Sequence, residues 1–296
     1  MKFASIDIGT NAVRLLLSRV YDDGPVPFIK KETLVRMPIR LGEDVFTVGA
    51  VSDEKTEYLI QTMRAYKHLI SAYGAIDYLG YATSAMREAE NGRDIIRLIR
   101  KKTDINLQII DGLRETEIIC TNRPRHLIDR NRAFLYIDVG GGSTELAIFT
   151  DNRIQRSKSL NIGGIRILKG KVTKESWNEM KDWLGEHTGG IENLTAIGSG
   201  GNINKIFRLA GKKPNESLSY KKIKSIYKYL QTFSLEERIK VFNFRSDRAD
   251  VIVPAAKIYM SAMKWARIKH IHVPMAGLSD GMIRILYEKY NNNKVN

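Results

Sequence analysis

The amino-acid sequence predicts an α/β protein of two similar halves, each a mixed sheet covered by helices. Three observations predict it. Helical and strand patterns alternate along most of the chain, the arrangement in which helices cover a sheet. The opening pattern, three strands and then alternating helices and strands, starts again at Ala133. Each half begins with an apolar strand that ends in Asp then Gly: Asp7-Ile8-Gly9 and Asp138-Val139-Gly140. The length of 296 residues sits where single cores stop growing and chains divide. Two such halves facing each other make a cleft, where ligands usually bind.

In the first half, apolar and β-branched runs give strands Phe3 to Ile8, Val13 to Val20 and Pro27 to Ile39, with Asp22-Asp23-Gly24 turning between the last two. Ser52 is a suitable N-cap for the helix that follows. Leu59, Met63, Tyr66 and Ile70 share one face of it, and Gly74 suits its C-terminal stop. A strand (Tyr78 to Thr83), a helix through Leu98, a strand (Ile105 to Ile110) and a helix from Leu113 complete this half.

In the second half the strands are Phe134 to Val139, Glu145 to Phe149 and Ile154 to Ser159, with Asp151-Asn152 as a two-residue turn. Helices are expected at Lys174 to Glu186, Asn202 to Leu209 and Tyr220 to Leu230, around a strand at Leu194 to Ile197. A long helix from Asp247 to Ala266, a strand from His270 to Val273 and a last helix from Leu278 follow.

The composition, 43% hydrophobic and 27% charged with seven prolines, is that of a globular chain and excludes a disordered one. Cys120 is the single cysteine, so no internal disulfide forms, and MKFASIDIGT lacks the apolar run of a signal peptide. A cytoplasmic protein is the expectation. No apolar stretch approaches the roughly 18 residues of a membrane span. The net charge of +15 points either to a polyanionic partner, whether nucleic acid, an anionic membrane surface or a phosphate-rich substrate, or to plain solubility charge. Between Lys212 and Lys228, six lysines stand against the single acid Glu216, with Tyr220 and Tyr227 interleaved. This run is either a solvated helical face or a polyanion track.

The chemistry concentrates in Asp138-Val139-Gly140-Gly141-Gly142-Ser143-Thr144-Glu145. Glycines let backbone N–H groups turn inward around an anion, and the Ser and Thr hydroxyls add donors. An ordinary hairpin would explain the glycines but not the carboxylates at both ends. A phosphate loop beside a metal site explains both. Asp7-Ile8-Gly9-Thr10-Asn11 is its counterpart in the first half. Ile197-Gly198-Ser199-Gly200-Gly201-Asn202, between a strand and a helix, either faces phosphate or serves tight packing. Gly164 to Lys171 is no Walker motif: the spacing is wrong, and Val172 stands where a magnesium-binding hydroxyl belongs. His68, His126, His187, His270 and His272 lack metal-ligand spacing, and His270 and His272 fall on one face of a strand.

The two loops together with Tyr81-Ala82-Thr83-Ser84-Ala85-Met86-Arg87, Asn91, the turn Ile110-Asp111-Gly112 and Arg248-Ala249-Asp250 resemble the exopolyphosphatase and guanosine pentaphosphate phosphatase family. The resemblance runs in order along nearly the whole chain. It implies the actin and sugar-kinase superfamily architecture: two ribonuclease-H-like domains, each with a mixed five-stranded sheet. These would be residues 1–122 and 123–281, with the helix of residues 282–296 packing back onto the first. By position, Glu115 matches the family's catalytic base, with Glu117 as its rival. Arg87 matches a phosphate-facing basic residue. Asp138 and Glu145 match carboxylates near magnesium, with Asp7 as a further candidate ligand. Gly9, Thr10, Asn11, Gly140, Gly141, Gly142 and Ser143 match the phosphate-binding loops, to which the residues themselves add Thr144, Gly200 and Gly201. Where this chain reads Arg114-Glu115-Thr116, the family usually has two adjacent acids and an alanine; it has Ser at Ala12 and Gly-Leu-Arg-Glu-Gly at Gly277-Leu278-Ser279-Asp280-Gly281. Long members add a C-terminal hydrolase-like domain with a His-Asp metal pair, and this chain has no His-Asp dipeptide, matching the short form.

The implied reaction is hydrolysis of a terminal phosphoanhydride with Mg2+ or another divalent cation. Inorganic polyphosphate is the preferred substrate, because a long polyanion suits a chain of +15. Guanosine pentaphosphate is the alternative, and an ATP-dependent small-molecule kinase or a non-catalytic alarmone sensor stands further off. A membrane or nucleic-acid partner is not expected, and a homodimer stays open.

Overall fold

The computed structural model describes residues 1–24, 26–122, 133–150 and 153–295. The expected turn at Asp151-Asn152 and His126 lie outside the described residues. The chain divides into two compact units, Met1–Thr121 with Gly277–Asn296, and Asn122–Ala276.

The first unit opens with an antiparallel meander, β1 (Lys2–Ile8), β2 (Val13–Tyr21) and β3 (Phe28–Met37). Then come α1 (Leu41–Val48), α2 (Asp53–Tyr73), β4 (Asp77–Ala82), α3 (Ser84–Glu88), α4 (Gly92–Thr103), β5 (Gln108–Ile109) and α5 (Gly112–Cys120). The sheet order is β3-β2-β1-β4-β5, with β4 parallel to β1 and β5 parallel to β4. Phe3, Ala4, Ile6 and Ile8 of β1 are all buried, as a strand covered on both faces requires. The Ser52 hydroxyl caps α2 by accepting from Lys55 N–H, and Gly74 ends it in the left-handed region at φ 70°.

The expected strand Ile105 to Ile110 shrinks to two paired residues. Thr103 Oγ1 accepts from Ile105 N–H, and Tyr78 Oη accepts from Asn106 N–H, so side chains take the donors a ladder would use. Helix α1 was not foreseen: eight residues, entered through Arg40 at φ 56°.

The second unit repeats the plan: β6 (Phe134–Val139), β7 (Thr144–Thr150) and β8 (Arg153–Leu160) form the meander. There follow α6 (Gly164–Leu168), α7 (Lys174–Thr188), β9 (Thr195–Ser199), α8 (Gly201–Leu209), β10 (Ser217–Ser219), α9 (Tyr220–Gln231), α10 (Leu235–Phe242), α11 (Ser246–Ala249), α12 (Ile252–Trp265) and β11 (His270–His272). The order β10-β11-β9-β6-β7-β8 reproduces the first sheet strand for strand, with β10 added at one edge. The expected five-stranded sheet is therefore six-stranded here. The extra strand is only three residues long, held antiparallel to β11 by the fully buried Leu218 and by Tyr220 N–H donating to Lys269 O (2.9 Å).

The single helix expected from Asp247 to Ala266 is instead α11 and α12. Pro254 lies in the first turn of α12, where its missing N–H costs nothing, and it cannot continue a helix arriving from upstream. Helix α10, also unforeseen, carries a capping box of Ser234 and Glu237.

The last helix, α13 (Leu278–Val295), belongs to the first unit. Its Ile283, Leu286 and Tyr287 pack against Phe3, Leu16 and Val20, and Ser5 Oγ donates to Ser279 O (2.9 Å). No helix among the described residues is long and apolar enough to cross a membrane.

Candidate active site

The glycine loop of the second unit joins β6 to β7 and closes on itself through Gly140 N–H donating to Ser143 O (3.0 Å). Its carbonyls are then taken by the start of α6. Gly164 N–H donates to Gly140 O (3.0 Å), Ile165 N–H to Gly141 O (2.8 Å), and Arg166 Nε to Gly142 O (2.7 Å). In a trans peptide the N–H points opposite to the carbonyl of the same unit. With three successive carbonyls directed to α6, the N–H groups of Gly141, Gly142 and Ser143 are directed away from it, as an anion nest requires.

The clamp depends on Gly163, where a Cβ would stand 2.5 Å from the backbone carbons of Gly141 and Gly142. The Gly164 to Lys171 stretch is thus a brace for the glycine loop. No pattern in the sequence marked it, because its function rests on a backbone contact across 22 residues.

The first unit builds the same device with different residues. Gly9 N–H donates to Ala12 O (3.1 Å), while Gly42 and Arg40 N–H donate to the carbonyls of Thr10 (3.0 Å) and Asn11 (3.2 Å) at the start of α1. The same peptide geometry turns the N–H groups of Asn11 and Ala12 outward from α1.

Register distinguishes the two loops chemically. Asp138 lies opposite Glu145 across β6 and β7, whereas Asp7 lies opposite Arg14 across β1 and β2. Asp7 accepts from Arg14 Nη1 at 2.5 Å, so its countercharge is an arginine. Asp138 and Glu145 place two carboxylates on one cross-strand position, an arrangement that repels unless a cation joins them. Glu145 is buried, and its Oε1 accepts from the hydroxyls of Ser143 (2.6 Å) and Ser159 (3.1 Å). This all-oxygen donor pair beside the outward-turned N–H groups of the glycine loop fits a hard cation such as Mg2+. Arg14 was missed from sequence because its partnership with Asp7 appears only once strand register is known.

Tyr259 of α12, fully buried, ties the loops of β6 and β9 together. Its hydroxyl accepts from Val139 N–H (3.3 Å) and donates to Ser199 O. Burial, and then the charges of Asp138 and Glu145, push its pKa well above the ordinary tyrosine value, so it remains a donor. Tyr259→Phe should lower unfolding stability by about 1–3 kcal/mol, the cost of stranding buried backbone groups; denaturant midpoints at unchanged m-value would measure it.

Gly200, at φ 105°, stands against Asp138, Val139 O and Tyr259, and Gly201 lies under the guanidinium of Arg248, which donates to Gly201 O. Close packing accounts for both glycines. Thr144, fully buried, donates from Oγ1 to Ile162 O (2.6 Å), so its hydroxyl secures the chain entering α6.

In the first unit, Asp111 caps α5 by accepting from Arg114 N–H (2.7 Å). Glu115, in the first turn of α5, is buried, and its Oε2 lies 3.9 Å from Arg87 Nη1. Arg87 is itself fixed by donating to Ile110 O (2.8 Å). Glu117 sits on the outer face, paired with Arg114 at 2.8 Å and more than half exposed. Asn91 exchanges two hydrogen bonds with the Val51 backbone, a purely structural tie.

Residues 33–289 match the Ppx/GppA phosphatase family. Exopolyphosphatase 1 of Mycobacterium leprae is 23% identical over 96% of this chain and 88% of its own length. Among solved structures, an exopolyphosphatase from Cytophaga hutchinsonii superposes with a TM-score of 0.84 at 22% identity, covering 98% of each chain. The Aquifex aeolicus member of the Ppx/GppA family gives 0.78 at 22% identity, over 98% of this chain and 99% of its own. Those two solved structures have the same two-domain actin-like fold as this chain. With most of its length matched, the chain belongs to the Ppx/GppA phosphatase family and is by that membership a phosphoanhydride hydrolase.

Proposed function

We propose that the chain is an exopolyphosphatase, which removes the terminal phosphate of inorganic polyphosphate by hydrolysis in the presence of Mg2+. The observation that carries the reading is the loop Gly140 to Ser143, where α6 takes the carbonyls of Gly140, Gly141 and Gly142 and so leaves the N–H groups of Gly141, Gly142 and Ser143 turned away from it, with Asp138 and Glu145 paired at the loop's base. A net charge of +15 and the exopolyphosphatase names of its relatives support polyphosphate as substrate.

Glu115 accepts a proton from water as the water oxygen attacks the terminal phosphorus. The new P–O bond forms as the bridging P–O bond breaks, and the shortened polyphosphate leaves with the electron pair. In the loop of the second unit the N–H groups of Gly141, Gly142 and Ser143 hold phosphoryl oxygens, and in that of the first unit the N–H groups of Asn11 and Ala12 and the hydroxyl of Thr10 do so, while the Ser143 hydroxyl stays on Glu145. Arg87 keeps Glu115 oriented and offers positive charge to the transferring group. Asp138 and Glu145 would hold Mg2+, which when bound neutralises charge on the phosphate being transferred. Asp7 is left out of the metal set because Arg14 already serves it.

Asp138→Asn or Glu145→Gln should raise the magnesium concentration needed for half-maximal activity, since each removes a hard anionic oxygen. An unchanged magnesium titration in both variants would remove these carboxylates from the metal site. The function itself is tested by parallel phosphate-release assays on long polyphosphate, tripolyphosphate and guanosine pentaphosphate. Higher kcat/KM for long polyphosphate supports the reading; a preference for guanosine pentaphosphate replaces it with the nucleotide phosphohydrolase.

A further inference from the structure

The second unit carries a second concentration of positive charge, at the end of its sheet away from the glycine loop. In β6 and β9, Phe134 pairs with Thr195 and Asp138 with Ser199; in β11, Ile271 pairs with Ala196. His270 therefore lies level with Thr195, about 13 Å along the strands from the level of Asp138, at ~3.3 Å per residue.

Two hollows open at this end. One, of about 1020 Å³, is lined by Trp265, Arg267, Lys269 and His270 with Asn193 and Thr195 among its polar groups. The other, of about 680 Å³, is lined by Tyr220, Lys221, Lys264, Arg267, Lys269 and His270. The hollows share Arg267, Lys269 and His270, and neither is lined by any Asp or Glu among the described residues.

The four cations Lys221, Lys264, Arg267 and Lys269 are exposed, and among the described residues none forms an ion pair. Elsewhere the contrast is clear: Lys212 meets Glu216, and Lys55 meets Asp44 and Glu43. Lys264 and Arg267 stand at the C-terminal end of α12, where the helix dipole favours a cation. That does not account for Lys221, which arrives from α9, or for Lys269 and His270, which arrive with β11. Like charges brought together without counterions raise the local potential and repel unless an anion joins them.

We propose that this end of the second unit is a second anion-binding site, taking a linear oligophosphate. A chain of evenly spaced charges suits cations shared between two adjoining hollows. Their size is that of a small-ligand pocket rather than of a duplex groove. The choice of polyphosphate as the ligand rests on the exopolyphosphatase reading; the convergence of unpaired cations does not. The site holds long chains away from the hydrolytic loops. Of the lysine run between Lys212 and Lys228, Lys221 is the member that lines one of these two hollows, so the proposed site draws its cations from α9, α12 and β11.

The test is titration of the full chain with inorganic tripolyphosphate and with long polyphosphate, without added divalent metal, followed by tryptophan fluorescence and equilibrium dialysis. Lys264→Gln/Arg267→Gln/Lys269→Gln is compared with wild type. A saturable signal that Trp265→Phe abolishes without abolishing binding is expected in wild type. The triple variant should bind long polyphosphate at least about tenfold more weakly at low salt. Its log–log salt slope should be shallower by about 2, from roughly 0.7 per neutralised contact on a single-stranded polyanion. Phosphate release from tripolyphosphate at saturation should match wild type. Wild-type affinity and slope in the triple variant would overturn the site, as would duplex DNA competing as strongly as polyphosphate, which would make the surface a nucleic-acid face. If wild type releases no phosphate yet binding falls in the triple variant, the anion site stands and the exopolyphosphatase reading fails.

Discussion

Glu115→Gln is expected to lower kcat by about 10²- to 10⁴-fold while leaving the affinity for polyphosphate nearly unchanged. Gln keeps the shape and one carbonyl oxygen, so the first turn of α5 and the neighbourhood of Arg87 persist. What is lost is proton acceptance in the transition state, which appears in kcat rather than in ground-state binding. Glu117→Gln is the control: its carboxylate pairs outward with Arg114 at 2.8 Å, and its removal should leave kcat within about twofold, as for exposed pairs of little energetic weight. Steady-state kinetics on both variants separates the two. Near-wild-type turnover in Glu115→Gln would remove it as the base, and a selective loss in Glu117→Gln would move the base to the outer face of α5.

Gly163→Ala should be nearly as damaging, although residue 163 makes no contact with substrate in this account. The added methyl would stand 2.5 Å from two backbone carbons of the glycine loop, and backbone cannot rotate aside as a side chain can. Either the loop or the start of α6 must move. Displacement of reactive groups by about 1 Å can cost roughly 10²-fold in rate, and the overpacking itself should cost about 1–3 kcal/mol of stability. Gly170→Ala is the comparison for a positive-φ glycine, since at φ 65° it is strained but has no atom near its Cβ position. It should lose stability without losing kcat/KM. Equal kcat/KM for Gly163→Ala and wild type, in folded protein, would mean that the brace does not set the loop.

Much of this architecture was legible in the residues because it rests on local signals. The meander strands alternate or run apolar, Ser52 and Gly74 bound α2, and the repeated Asp-x-Gly exposed the duplication before any contact was known. Elements that escaped are those fixed by distant backbone. Helices α1 and α6 are short and are held by the carbonyls of the loops they brace. The three-residue β10 exists because Leu218 is buried beside β11. Sequence overextended β5 because alternation at Ile105 and Leu107 looked like a ladder, while Thr103 and Tyr78 had taken its donors.

Around the site, Asp138 and Glu145 drew attention by flanking three glycines, but the opposite chemistry of the first loop was hidden. Only the pairing of Asp7 with Arg14 shows that an arginine stands there at the position equivalent to Glu145. Tyr259 was likewise indistinguishable from the apolar residues of α12 until its hydroxyl was seen between two strands.

Removal of terminal phosphates from polyphosphate is tested by resolving the products of long polyphosphate over time in the presence of magnesium. Orthophosphate should be the sole small product, released from the first turnovers while the remaining chains shorten steadily, and it should be nearly absent with Glu115→Gln. Fragments of intermediate length, or phosphate release from guanosine pentaphosphate but none from polyphosphate, would contradict it.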